Sequence, residues 1–178
     1  MLGELLCIVD REDRVLKGER REIVHDSGLW HRGVHIFLCN EDNGLLVTRR
    51  SATKDKFPSR LDCSVSEHVR LGETYEDAAR RGLREELDID ASPQFLLRFR
   101  MRYGPGDNMV CKLFECRSRS APKPGGNEVS EVMFLSLDDV RRCAPEKPSK
   151  ADPLVRGNPK VETRIERQAR ISGLSTVP

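Results

Sequence analysis

Residues 72–89 read GETYEDAARRGLREELDI. At about 100° per residue, Tyr75, Ala78, Ala79, Gly82, Leu83 and Leu87 share one arc of a helical wheel, and Arg80, Arg81 and Arg84 lie largely outside it. The spacing predicts an amphipathic helix, with Thr74 as its N-cap and Asp77 three residues on. Two glutamates break the pattern. Glu86 falls near the middle of the apolar arc and Glu85 at its edge. An ionised carboxylate in a core is costly unless it is paired or bound to a metal. One reading neutralises Glu86 with Arg81 or Arg84. The other gives it to a cation: two close carboxylates and a third acidic group elsewhere suit a hard divalent ion such as Mg²⁺.

Outward from this helix the pattern is mostly strand. Leu5–Val9 and Val15 flank the polar turn DRED and predict an N-terminal hairpin. Residues 34–39 and 45–48 flank NEDNG, whose Asn43-Gly44 is a strong hairpin signal. A basic loop, RRSATKDKFPSR, leads to a short strand at 61–65. Residues 95–103 and 109–117 are strands either side of GPGDN, SAPKPGGN is a breaker-rich loop, and 132–137 is strand-like before the helical LDDVRRC. One central helix among many strands predicts an α+β domain with a mixed sheet. Beyond Ala144 the chain turns rich in Pro and Lys and lacks aromatics. The expectation is therefore one domain over 1–144 and a partly ordered tail over 145–178, with a short helix at 161–172.

Composition excludes several classes. The longest apolar runs, LLCIV (5–9) and HIFLC (35–39), are far too short to span a bilayer. The stretch MLGELLCIVDRED has no basic n-region, so no signal peptide is expected. A formal net charge of +2 is too small to argue for nucleic acid. None of the six cysteines forms a CxxC pair, and Cys7, Cys39 and Cys111 sit in apolar runs. They read as buried thiols of a reducing, cytoplasmic setting.

The helix also carries a resemblance. Nudix hydrolases share a signature: Gly, five residues, Glu, seven residues, then Arg-Glu-apolar-x-Glu-Glu-x-Gly-apolar. Here Glu73, Arg81, Leu83, the pair Glu85 and Glu86, and Ile89 fall on it. The stretch LWHRGVHIFLCNEDNGLLVTRRSATKDKFPSRLDCSVSEHV resembles the Nudix subgroup nearest to isopentenyl-diphosphate isomerase, and the likeness runs over about residues 5–142. It implies the Nudix α/β/α sandwich with a mixed curved sheet. It also implies a metal-dependent pyrophosphohydrolase acting on a nucleoside diphosphate or related compound. Glu85, Glu86 and Glu128 would be metal-binding and catalytic, with Glu128 as general base and Glu131 as an equal candidate. Arg50 and Lys54, with Arg49 beside them, would hold phosphate, as guanidinium forks and ammonium charges suit. Mg²⁺ or Mn²⁺ would be the cofactor, a small-molecule diphosphate the partner, and a homodimer is common among such relatives.

Three positions depart from the signature: Glu67 replaces its first Gly, Gly82 its Arg-following Glu, and Asp88 its last Gly. Loss of a metal-binding carboxylate at Gly82 implies a weakened site, and Gly82→Glu is expected to raise hydrolysis. The isomerases share the fold and also lack that Glu. His25, His31 and His68 resemble their metal-binding histidines, Glu86 their helix Glu and Glu128 their catalytic Glu. Zn²⁺ or Mn²⁺ would suit three histidines better than Mg²⁺ alone. Equally, His25 and His31 belong to a segment shared with relatives that are not isomerases, where they need not bind metal. Against isomerisation, the catalytic Cys position is Ser66. Cys63, three residues away, is expected on the other strand face. The only tryptophan is Trp30, and no aromatic follows Phe134. A non-catalytic diphosphate-binding module is the third reading.

Overall fold

A computed structural model describes residues 4–54, 58–104, 106–125 and 128–143. The elements run β1 (Leu5–Val9), β2 (Val15–Arg20), α1 (Arg21–Ser27), β3 (Trp30–Cys39), β4 (Leu45–Arg50), β5 (Leu61–Asp62) and β6 (Val65–His68). They continue with α2 (Tyr75–Leu87), β7 (Gln94–Gly104), β8 (Asp107–Arg117), β9 (Val129–Leu135) and α3 (Leu137–Cys143). The fold is α+β, with a mixed nine-stranded sheet and few helices. The tail expected over 145–178 and its helix at 161–172 lie outside the described residues. No described helix is long and apolar enough to cross a membrane.

Strand β3 organises the sheet. One edge runs parallel to β8 from Trp30↔Asn108 to Cys39↔Arg117. Its other edge takes β1 at His31, β6 over Gly33–Ile36 and β4 at Cys39, all antiparallel. Alternation on β3 sends Val34, Ile36 and Leu38 to one face, where they join Ala78, Ala79, Leu83 and Leu87 of α2 in one buried cluster. Each fully buried leucine there contributes about 1.5–3 kcal/mol. The opposite face of β3 carries His31, Gly33 and His35.

Helix α2 matches its sequence expectation. Thr74 Oγ1 accepts from the Asp77 N–H, and the Asp77 side chain reaches back to the Thr74 N–H, so two orphan donors are satisfied. The helix ends at Asp88, left-handed at φ 55°. This is the position of the signature's last Gly, and Asp is one of the few side chains that visits that region. Helix α1 was not legible from the sequence, because seven residues cannot show a periodic apolar face. Its one buried residue, Val24, docks with Leu6 and Ile8.

The N-terminal hairpin is anchored to the core. Asp13, in the β1–β2 turn, accepts from Arg32 Nε at 2.7 Å and from the Tyr75 hydroxyl at 2.9 Å. Arg32 and Lys112 also stand over the Tyr75 ring, at 5.0 and 4.6 Å from its centroid.

Candidate functional site: three histidines beside a carboxylate pocket

The antiparallel register explains the first cluster. His31 and Gly33 share a face of β3, and the cross-strand partner of Gly33 is His68, which shares that face too. Helix α1 brings His25 against them. The three donor nitrogens lie within 4.8 Å of one another, and the ring centroids are 5.1–5.5 Å apart. His31 is fully buried, and its Nδ1 is 3.1 Å from the Leu29 carbonyl. That contact assigns the proton to Nδ1 and leaves Nε2 as the acceptor, the arrangement a metal-binding imidazole needs. Asp107 Oδ1 stands 3.8 Å from His31 Nε2 and 3.7 Å from His25 Nδ1. The donor set therefore fits a borderline ion such as Zn²⁺ or Mn²⁺.

The sequence reading missed Asp107, taking GPGDN only as a turn. The structure seats that turn on α1. Gly106 has φ 77°, and a Cβ there would lie 2.0 Å from the His25 carbonyl oxygen. Asn108 Nδ2 donates to the Gly28 carbonyl at 2.8 Å. Only glycine allows this approach, and the approach is what puts Asp107 beside the histidines.

The second cluster surrounds Glu86. Arg81 does not neutralise it. That guanidinium bonds Glu73 at 2.9 and 3.1 Å, Glu67 at 3.0 Å, Glu85 at 3.2 Å and the His68 carbonyl at 2.8 Å. Arg84 pairs with Asp90 at 3.1 Å. So Glu85 and Glu86 diverge: Glu85 is half-exposed on the arginine, whereas Glu86 makes no side-chain hydrogen bond or ion pair among the described residues. Burial pushes the Glu86 carboxyl well above its ordinary range. The charges of Glu67, Glu128 and Asp62 push the same way, and Lys54 opposes them. Burial also raises Glu67, in spite of Arg81. Burial alone would raise Glu73 as well, but hydrogen bonds from Arg81 and the Arg70 N–H bring it below the usual value. Over the C-terminus of α2, the Lys123 and Gly125 N–H groups donate to the Leu87 and Glu86 carbonyls at 2.9 and 2.7 Å.

The basic residues expected on phosphate are each in an ion pair. Lys54 meets Glu128 at 2.8 Å, Arg50 meets Asp62 at 3.0 Å, and Arg49 meets Glu131 at 2.9 Å. The residues named from the sequence thus separate into two groups. His25, His31 and His68 converge with one another. Glu86 has Glu128 and Lys54 among its charged neighbours, with Arg50 paired to a third neighbour, Asp62, whereas Glu85 pairs with Arg81 and Arg49 with Glu131.

Two expectations change. Cys63 is not on the opposite face from Ser66. The extended strand is interrupted between β5 and β6, where Ser64 Oγ accepts from the Leu38 N–H at 2.9 Å while donating to the Leu46 carbonyl at 2.6 Å. The two-residue alternation does not run through this bend. Cys63 Sγ lies 3.5 Å from His35 Nδ1, and His35 is the cross-strand partner of Ser66. The thiol donates to the Val65 carbonyl at 3.1 Å, and burial raises its pKa well above the ordinary value. Gly82 also reads differently. A Cβ at that position would stand 2.8 Å from both Val65 Cγ1 and Glu67 Cγ, so Gly82→Glu cannot be a simple restoration.

Residues 29–156 match the NUDIX domain family. The chain belongs to the Nudix family. Among its relatives, it is 37% identical over 134 residues to an uncharacterized Nudix hydrolase of Streptomyces coelicolor, covering 74% of each chain. It is 32% identical over 145 residues to an isopentenyl-diphosphate Delta-isomerase of Klebsiella pneumoniae, covering 77% of this chain and 78% of that one. A crystal structure from Deinococcus radiodurans superposes with a TM-score of 0.66 at 30% identity, over 92% of this chain and 98% of the other.

Proposed function

We propose that this Nudix protein is a divalent-metal-dependent pyrophosphohydrolase acting on a nucleoside diphosphate or a related small diphosphate. The observation that carries the reading is Glu86, a part-buried carboxylate left without an arginine, with Glu128, Asp62 and Lys54 among its charged neighbours and Arg50 paired to Asp62. Glu86, Glu85 and Glu128 are the catalytic and metal-binding carboxylates, and Arg49, Arg50 and Lys54 the phosphate-binding cations. A divalent ion held there, Mg²⁺ or Mn²⁺, supplies charge neutralisation on the phosphates and lowers the pKa of a bound water.

The protein's own groups do the rest. Arriving phosphate oxygens exchange with the carboxylate partners of Lys54 and Arg50. The exchange releases Glu128 from its 2.8 Å pair with Lys54, so substrate binding frees the general base. Arg81 positions Glu85 and Glu73 without touching substrate. His25, His31 and His68, with Asp107, form a separate centre suited to Zn²⁺ or Mn²⁺.

That centre favours a second reading, an isopentenyl-diphosphate isomerase. Ser66 opposes it: an exposed hydroxyl stands at the expected thiol position, and the nearby Cys63 thiol is half-buried and donates to a carbonyl. A panel of nucleoside diphosphates and isopentenyl diphosphate, each with Mg²⁺, Mn²⁺ and Zn²⁺, separates the readings. Phosphate or monophosphate release that is lost in Glu86→Gln supports the hydrolase. Solvent-proton exchange into isopentenyl diphosphate overturns it in favour of the isomerase. Thermal stabilisation by a diphosphate with neither activity assigns a binding module.

A further inference from the structure

Strand β2 ends the sheet. β1 lies along one of its edges, and no described strand pairs with the other. The backbone register fixes which groups face that free edge. The Cys7 N–H donates to the Val69 carbonyl at 2.9 Å, and the Leu5 carbonyl accepts from the Leu71 N–H at 2.8 Å, so Leu5 and Cys7 aim their backbone groups away from β2. Leu6 and Ile8 therefore bond their partners on β2, Glu19 and Lys17, and the intervening Gly18 turns its N–H and C=O outward. Exposed apolar side chains lie on or beside this hairpin: Leu5, Val15, Leu16 and Leu71. Leu71 covers Gly18, where a Cβ would meet Leu71 Cδ2 at 2.6 Å.

We propose that β2 is a self-pairing edge, to which a second copy of this chain adds its own β2 antiparallel, about a twofold axis through Gly18. Gly18 then faces the partner's Gly18, and the two outward N–H groups donate to the two outward carbonyls. Such an interface is isologous, so every other contact occurs twice. Lys17 stands opposite the partner's Glu19, in the non-hydrogen-bonded pairing where side chains come closest. A lysine on an edge strand ordinarily turns a further strand away. Here Glu19 lies on the same face, 2.9 Å from Lys17, so the charge pattern is complementary to its own antiparallel copy and selects that copy over an unrelated strand. On the opposite face the glycines leave room, and Leu71 over Gly18 meets the partner's Leu71 at the axis. The register shift beyond Ile8 and the start of α1 at Arg21 keep the ladder short, so the association is weak and concentration-dependent. The pairing uses no residue of the diphosphate pocket or the histidine centre.

Sedimentation velocity of the full chain over a concentration series tests this. Wild type is expected to move from the mass of one chain towards that of two as concentration rises, and high salt should reverse the shift. K17E and E19K each break one exposed pair and should keep native circular dichroism. Each sets like charges opposite one another and should stay monomeric where wild type is largely dimeric. The double variant K17E/E19K should regain the wild-type dimer fraction. An equimolar mixture of the K17E and E19K chains should form a dimer that neither forms alone. A wild-type dimer that both single variants leave intact would place the interface elsewhere and overturn the proposal. Monomeric single variants with no recovery in the double variant or the mixture would overturn the register. A wild type that stays monomeric throughout would overturn the self-pairing, and a Gly18 amide protected from hydrogen exchange in that monomer would give the edge to residues 144–178 of the same chain.

Discussion

Arg81 Nη2 donates to the His68 carbonyl at 2.8 Å, so the carboxylate-bearing helix holds the strand whose last side chain completes the histidine cluster. The same guanidinium holds Glu67, Glu73 and Glu85. Arg81→Ala would leave several half-buried carboxylates unpaired and is expected to cost roughly 3–5 kcal/mol in urea unfolding. Arg81→Lys should recover little of this, because an ammonium cannot replace a fork that serves four acceptors. A loss under about 1 kcal/mol for the alanine variant would show that this hub does not support the fold.

Glu86 should cost stability until a cation arrives. Its folded pKa lies above the unfolded value, so the folded state binds the extra proton, and this contribution to stability fades as pH rises through the folded value. At neutral pH, metal-free Glu86→Gln is therefore expected to be more stable than wild type. The melting temperature should rise by about 2–4 °C for each kcal/mol relieved. Mg²⁺ should stabilise wild type and not the variant. A metal-free variant that melts below wild type would contradict this account of the pocket.

The histidine centre predicts uptake of one equivalent of Zn²⁺, read as a rise in melting temperature and by calorimetry. His68→Gln should abolish it, and Asp107→Asn should weaken it by roughly tenfold. Full-strength binding in Asp107→Asn would mean that the hairpin tip only covers the centre.

Burial lowers the pKa of His35 from 6.5 to about 4. Between those values the unfolded chain binds the proton and the folded protein does not. Stability from this residue is complete above the unfolded pKa. It falls with pH through the window, by up to about 3 kcal/mol, with no further loss below it. The difference in unfolding free energy between about pH 7 and pH 4.5 should be smaller in His35→Gln than in wild type. An unchanged difference would mean that His35 takes a proton without unfolding.

Much of this was legible in the sequence because it is local. The cap Thr74–Asp77, the arc of α2 and the Asn43-Gly44 turn are set by neighbours in the chain. The misfit of Glu86 on an apolar arc was a local signal too, and the structure leaves that side chain part-buried, with no hydrogen bond or ion pair among the described residues. What the sequence concealed is register and approach. Asp107 looks like any turn residue until Gly106 lets the hairpin touch His25. Cys63 was assigned a face by an alternation that the bend at Ser64 interrupts. Gly82 and Glu67 read as two separate lapses from a pattern, because their contact spans a strand and a helix.

Asp13 has a practical consequence for cutting the gene. The stretch that matches the family begins at residue 29, yet Asp13 bonds Arg32 and Tyr75, and His25 also lies upstream. An expression fragment trimmed to the matched stretch would take Cys7 and Val9 out of the core cluster that holds Leu83, strip the Tyr75 hydroxyl of its Asp13 acceptor, and leave two imidazoles where three converge. The smallest piece worth purifying therefore starts ahead of β1, some way outside the homology boundary.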